Sequence, residues 1–91
     1  PIKVPHMGWN KVFFKQDHDL FANIETDTRF YFVHSYLLKD FDEEKSFSIT
    51  HHGIEFVSSI GDENIFATQF HPEKSGEAGL RFFDNFLKWN P

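Results

Sequence analysis

The end of the chain carries a helical period. From Ser75 onward Leu80, Phe83, Phe86 and Leu87 fall on one helical face, and Arg81, Asp84, Asn85 and Lys88 fall on the other. Ser75 is placed to cap this helix, Glu77 sits in its first turn, where a carboxylate suits the helix dipole, and Asn90-Pro91 ends it. Upstream the pattern is that of strands. Residues 29–38 (RFYFVHSYLL) form the clearest buried strand, dense in aromatic and β-branched side chains. Residues 47–51, 54–60 and 65–70 follow in quick succession, separated by turns at His52-Gly53 and at residues 61–64. Short strands joined by tight glycine turns predict antiparallel pairing. Residues 11–14 read as a further short strand, and residues 1–10, punctuated by Pro5 and Gly8, as a loop or strand edge. Leu20, Phe21 and Ile24 give the polar stretch 16–28 the spacing of a short helical turn, and residues 39–45 (KDFDEEK) form an acidic, exposed connection. With one good helix to cover it, the sheet is not expected to close on itself, and one face is expected to need more protein.

Composition sharpens that expectation. The 91 residues allow one small domain, yet they include 13 Phe, 2 Tyr and 2 Trp. Either the core is unusually aromatic or some rings pack against protein outside this chain. The first residue is Pro1, and a fragment is the favoured reading. The net charge of −5 shows no basic stripe, so nucleic acid is not an expected partner. No apolar run approaches the roughly 20 residues of a membrane span, and no leader pattern suggests secretion. There is no cysteine, which excludes disulfides and thiolate metal sites within these residues. A soluble, cytoplasmic protein is expected.

The candidate chemistry lies between the last strand and the helix, in Gln69-Phe70-His71-Pro72-Glu73-Lys74-Ser75. Pro72 pushes His71 toward extended backbone, and in an extended segment residues i and i+2 project to the same side. His71 and Glu73 are therefore expected to point together from a strand end, the carboxylate holding the imidazole. That pairing is the base-plus-orienter half of a nucleophilic triad. The alternative is a surface histidine with an incidental neighbour.

The whole heptapeptide resembles the C-terminal signature of the class I (triad) glutamine amidotransferases. Pro5-His6-Met7-Gly8-Trp9-Asn10 and Phe30-Tyr31-Phe32-Val33-His34-Ser35-Tyr36 resemble, in the same order, segments of the family branch that serves as glutaminase subunit of imidazole glycerol phosphate synthase. The resemblance spans essentially all of residues 1–91 and corresponds to about the C-terminal half of the family's domain. It implies the C-terminal portion of a flavodoxin-like, three-layer α/β domain, with mostly antiparallel strands and a C-terminal helix. The N-terminal half, with its nucleophilic cysteine and oxyanion loop, would lie outside this chain. It implies hydrolysis of glutamine to glutamate and ammonia for histidine biosynthesis, with His71 as general base and acid and Glu73 as its orienter. Ser35 and Tyr36 match positions whose backbone helps hold the substrate glutamine. His6, Trp9 and Asn10 match the segment facing the partner of a heterodimer, a (β/α)8-barrel cyclase subunit that consumes the ammonia. No cofactor is implied. His52 departs from the pattern, standing where relatives often carry an aromatic residue.

Without a thiol, the chain alone is expected to be inactive. The alternatives are another triad amidotransferase, serving carbamoyl phosphate, anthranilate or GMP synthesis, or a non-catalytic module that binds the cyclase. The block at residues 5–10 argues against the first. For Trp9 the alternative to an exposed interface anchor is a buried core position. A metal site is not expected, because His51 and His52, adjacent on a strand, point to opposite faces and no helical His-x3-His spacing occurs. His34, inside an apolar strand, reads as a hydrogen-bonded core residue.

Overall fold

The computed structural model describes residues 2–91. Its strands are β1 (Ile2–Phe14), β2 (Thr28–Leu37), β3 (Ser46–His52), β4 (Ile54–Asp62) and β5 (Ile65–Thr68), and its helix is α1 (Gly76–Lys88). All neighbouring strands pair antiparallel, in the order β2-β1-β3-β4-β5. The expected antiparallel sheet with a C-terminal helix is what forms.

Three features sharpen or depart from expectation. Of the two readings for residues 1–10, loop or strand edge, the described residues are strand: they belong to β1, which pairs with β2 from Ile2↔Leu37 to Val12↔Thr28. The strand accommodates Pro5 because the register shifts between Lys3 and His6, at a bulge where no ladder N–H is required of it. The sheet also curls toward closure. After β5 the chain crosses to β2, where Phe70 bridges Phe32, while Leu38 bridges Val57 on the other side. Aromatic residues make this curl favourable, because Phe30, Phe32, Phe56 and Phe70 all fill its interior and are fully buried.

The third feature is the face that α1 buries. Leu80, Phe83, Phe86 and Leu87 are exposed, and Gly79, Phe82 and Asn85 face inward. Phe82 enters the aromatic core beside Phe30, Phe66 and Phe70. Asn85 is not on a solvent face: its side-chain amide donates to the carbonyls of Leu20 and Ala22 at 2.9 and 2.7 Å. Those bonds satisfy the end of the short 3-10 turn Asp19–Phe21, whose Leu20 and Phe21 are buried as the spacing predicted. Gly79 allows the close approach. A Cβ there would lie 1.9 Å from the carbonyl oxygen of Pro72. The apolar stripe visible in the sequence is thus left outward, beside a groove of about 400 Å³ that includes Ile65, Phe66, Phe83, Phe86 and Trp89.

Candidate active site

Backbone bonds set the position of His71 before its side chain is considered. Its N–H donates to the Tyr31 carbonyl of β2 at 2.8 Å. Pro72, fixed in φ, then starts the 3-10 turn Pro72–Lys74. Ser75, fully buried, closes the arrangement: its hydroxyl accepts from the Tyr31 N–H at 2.9 Å and donates to the His71 carbonyl at 2.7 Å. Ser75 makes no side-chain cap on α1, contrary to expectation, because its hydroxyl is used to tie the His71 turn to β2. Gly76 continues the chain at φ +57°, the left-handed backbone that glycine adopts without a Cβ penalty.

Within this frame His71 Nδ1 lies 2.9 Å from Glu73 Oε2. The contact is made by the 3-10 turn folding Glu73 back, not by strand alternation. The His71 ring Nδ1–H, and secondly Glu73's own backbone N–H, hold the Glu73 carboxyl below its ordinary range. An ionised Glu73 can only accept, so His71 carries its proton on Nδ1 and presents a lone pair at Nε2. Among the described residues nothing bonds Nε2, and the His71 side chain remains 35% exposed. The arrangement is an oriented, accessible base.

Ser35 and Tyr36 lie toward the far end of β2 and are exposed. The Gln69 side-chain amide donates to the Tyr36 carbonyl at 3.5 Å, linking that segment to the approach of His71. Trp9 pairs with Tyr31 across the β1–β2 ladder and meets its ring edge-on at 5.8 Å. Its indole lies 3.7 Å from where a Gly76 Cβ would stand, yet the residue is 53% exposed. Asn10, the next residue, is half-buried. His6 is buried, stacked between Phe32 at 4.7 Å and His52 at 3.9 Å, so its ring does not reach the surface. His34 is partly buried and hydrogen-bonded at both ring nitrogens. His51 is exposed near Glu55, whereas His52 turns to the Pro5 carbonyl. Among the described residues no three His, Cys, Asp or Glu side chains converge as a metal site requires. No helix among them is long and apolar enough to cross a membrane.

The link between His6, His34 and the Tyr36 carbonyl was not visible in the sequence. It depends on the bulge in β1, which nothing but Pro5 signals.

Burial, then the neighbouring His52 and His34, lowers the His6 pKa from 6.5 to about 4. The unfolded chain therefore binds a proton that the folded chain refuses between those values. Stability contributed by neutral His6 is complete above pH 6.5 and is lost as pH falls toward 4. His18, lowered chiefly by burial, acts in the same direction. Urea unfolding from pH 7 to pH 4 is expected to show a loss of up to about 3 kcal/mol from His6, with His6→Phe flattening that slope. An equal slope in the variant would assign the loss to other groups.

A histidine paired with a carboxylate thus stands at the end of the sheet, ahead of the C-terminal helix of a partial α/β domain. The family model for class I glutamine amidotransferases matches residues 1–89, and the chain belongs to that family. Its described part is a portion of the family's α/β domain. Among curated relatives it is 52% identical over 89 residues to the imidazole glycerol phosphate synthase subunit HisH of Hydrogenovibrio crunogenus. It is 50% identical over 90 residues to the HisH subunit of Nitrosomonas europaea. These alignments cover 98% and 99% of the chain, which spans 42% of the length of each relative.

Proposed function

We propose that this chain is the C-terminal part of the glutaminase subunit of an imidazole glycerol phosphate synthase. The subunit would hydrolyse glutamine to glutamate and deliver ammonia to a cyclase partner in the cytoplasm, for histidine biosynthesis. The observation that carries the reading is the 2.9 Å contact between His71 and Glu73, on a turn pinned to β2. His71 Nε2 takes the proton from a cysteine thiol supplied by the preceding part of the domain. The thiolate attacks the glutamine amide, and His71 returns the proton to the departing ammonia. Glu73 keeps the ring in one tautomer and stabilises the imidazolium formed in between. Ser35 and Tyr36 offer backbone groups to the substrate. The outward stripe of α1 meets the rest of the domain, which explains why so many rings are left uncovered.

Activity is tested on the full-length protein purified with its barrel partner, by glutamate formation from glutamine. Turnover supports the reading, and its absence from the complex overturns it. The β1 segment is the proposed docking face, with Trp9 its anchor, flanked by Asn10, while the buried His6 supports that face from beneath. Trp9→Ala is expected to weaken association with the cyclase by more than about 1 kcal/mol in a titration. Unchanged affinity with lowered melting temperature would make Trp9 a packing residue over Tyr31 instead.

A further inference from the structure

The segment carrying Ser35 and Tyr36 lies opposite the irregular part of β1. Lys3 pairs with Tyr36 and His6 with His34, so Val4 and Pro5 together face the single residue Ser35. Pro5 has no N–H to give, and the regular ladder is interrupted where the substrate-facing backbone begins. Side chains act there instead. His34 Nδ1 lies 2.8 Å from the Tyr36 carbonyl, His34 Nε2 lies 3.0 Å from His6 Nδ1, and His6 Nε2 lies 3.4 Å from Asn10 Nδ2.

These contacts allow one set of proton positions. A carbonyl only accepts, so His34 carries its proton on Nδ1 and a neutral ring leaves Nε2 as acceptor. His6 must then donate from Nδ1, leaving its own Nε2 to accept from the Asn10 amide. The Asn10 amide is itself fixed at both ends: its oxygen accepts from the Lys11 N–H at 2.8 Å, and its nitrogen donates to the His51 carbonyl at 2.7 Å. A protonated His6 would turn its Nε2–H toward the Asn10 amide N–H, and a protonated His34 would turn its Nε2–H toward the His6 Nδ1–H; either breaks the sequence. The His6 ring is held in plane by Phe32 and His52, with Phe56 edge-on. His52 is anchored in turn to the Pro5 carbonyl at 2.8 Å.

We propose that His6 and His34 are positioning residues: with Asn10 they form a one-way hydrogen-bond chain that stands in for the interrupted ladder and fixes the Tyr36 carbonyl for substrate binding. The chain starts at the half-buried Asn10 of β1 and ends on the backbone that presents Ser35 and Tyr36. The substrate part of this inference rests on the glutaminase reading, while the proton positions do not. Rotation of Asn10 reverses or breaks the donor sequence, so a partner that seats on β1 can alter the order of the substrate segment without touching it.

The test has two readouts. Ring-nitrogen NMR of the unsubstituted protein at neutral pH should find both His6 and His34 neutral with the proton on Nδ1. A proton on Nε2 of either ring overturns the chain, whether or not any variant folds. In the full-length protein with its barrel partner, His34→Phe removes the bond to the Tyr36 carbonyl, whereas His34→Asn retains an N–H donor near the position of Nδ1. His34→Phe is expected to raise KM for glutamine about tenfold with kcat within about twofold, and His34→Asn to recover most of that loss. Equal KM values for both variants and the parent overturn the positioning role. A parent complex without glutamine turnover overturns the glutaminase reading, and the ring-nitrogen spectrum still decides the hydrogen-bond chain.

Discussion

Replacing His71 with alanine in the full-length protein is expected to lower glutamine turnover by about three to four orders of magnitude, with little loss of stability. The size follows from its role. In the proposed mechanism, loss of the imidazole removes the group that takes the proton from the nucleophile and returns it to the leaving ammonia, leaving only binding and oxyanion stabilisation. The small stability cost follows from the geometry. The His71 ring is 35% exposed, and its one described side-chain bond goes to the exposed Glu73. Solvent-exposed pairs of this kind contribute little to stability. The backbone bonds that place the residue, from its N–H to Tyr31 and from Ser75 to its carbonyl, survive the substitution. Steady-state kinetics and a melting curve on the same preparation check both halves. Near-normal turnover refutes the assignment, and a collapsed melting curve would give His71 a structural role instead.

Gly79→Ala is expected to be the most damaging of the small substitutions. Alanine in a helix interior ordinarily gains about 1 kcal/mol over glycine. Here the added Cβ would stand 1.9 Å from the Pro72 carbonyl oxygen, 2.9 Å from its carbon and 3.3 Å from the Ser75 Cβ. The first two are backbone atoms of the turn that presents His71, and no side-chain rotation relieves them. Helix α1 must move away, drawing Phe82 from the aromatic core and Asn85 from the Leu20 and Ala22 carbonyls. Overpacking against backbone outweighs the helical gain, and a net loss of about 3 kcal/mol or more is expected in denaturant unfolding. A neutral or stabilising result would mean that α1 does not sit against the turn as described.

The local chemistry of the chain was legible in its sequence to a useful depth. The strand over β2, the turn at Gly53 and the C-terminal helix follow from period and turn residues, because those signals are local, whereas the second turn is confined to Glu63-Asn64 and Gly61 lies buried within β4. The His71–Glu73 contact was legible too, although Pro72 delivers it through a 3-10 turn and not through strand alternation. What sequence could not show was long-range. Pro5 and Gly8 left residues 1–10 between loop and strand edge, yet a bulge opposite Ser35 takes up Pro5 and Gly8 pairs with Phe32 within a strand of 13 residues. The polarity of Asn85 placed it outside, but two backbone carbonyls of the Asp19–Phe21 turn are better partners for it than water. Ser75 has the composition of a helix cap and serves as a buried staple between β2 and the His71 turn. Each reversal comes from a partner more than a dozen residues away or from a register shift, neither of which leaves a periodic trace.

The most direct test of the central claim, that this chain holds the base and its orienter while the nucleophile comes from the rest of the domain, is ammonia release from glutamine. It is measured on the 91-residue chain alone and on the same chain within its complete domain and partner. No release from the isolated chain and steady release from the complete protein, abolished by His71→Ala, is the result expected. Ammonia release by the cysteine-free chain itself, or undiminished release from the His71→Ala complex, would contradict the account.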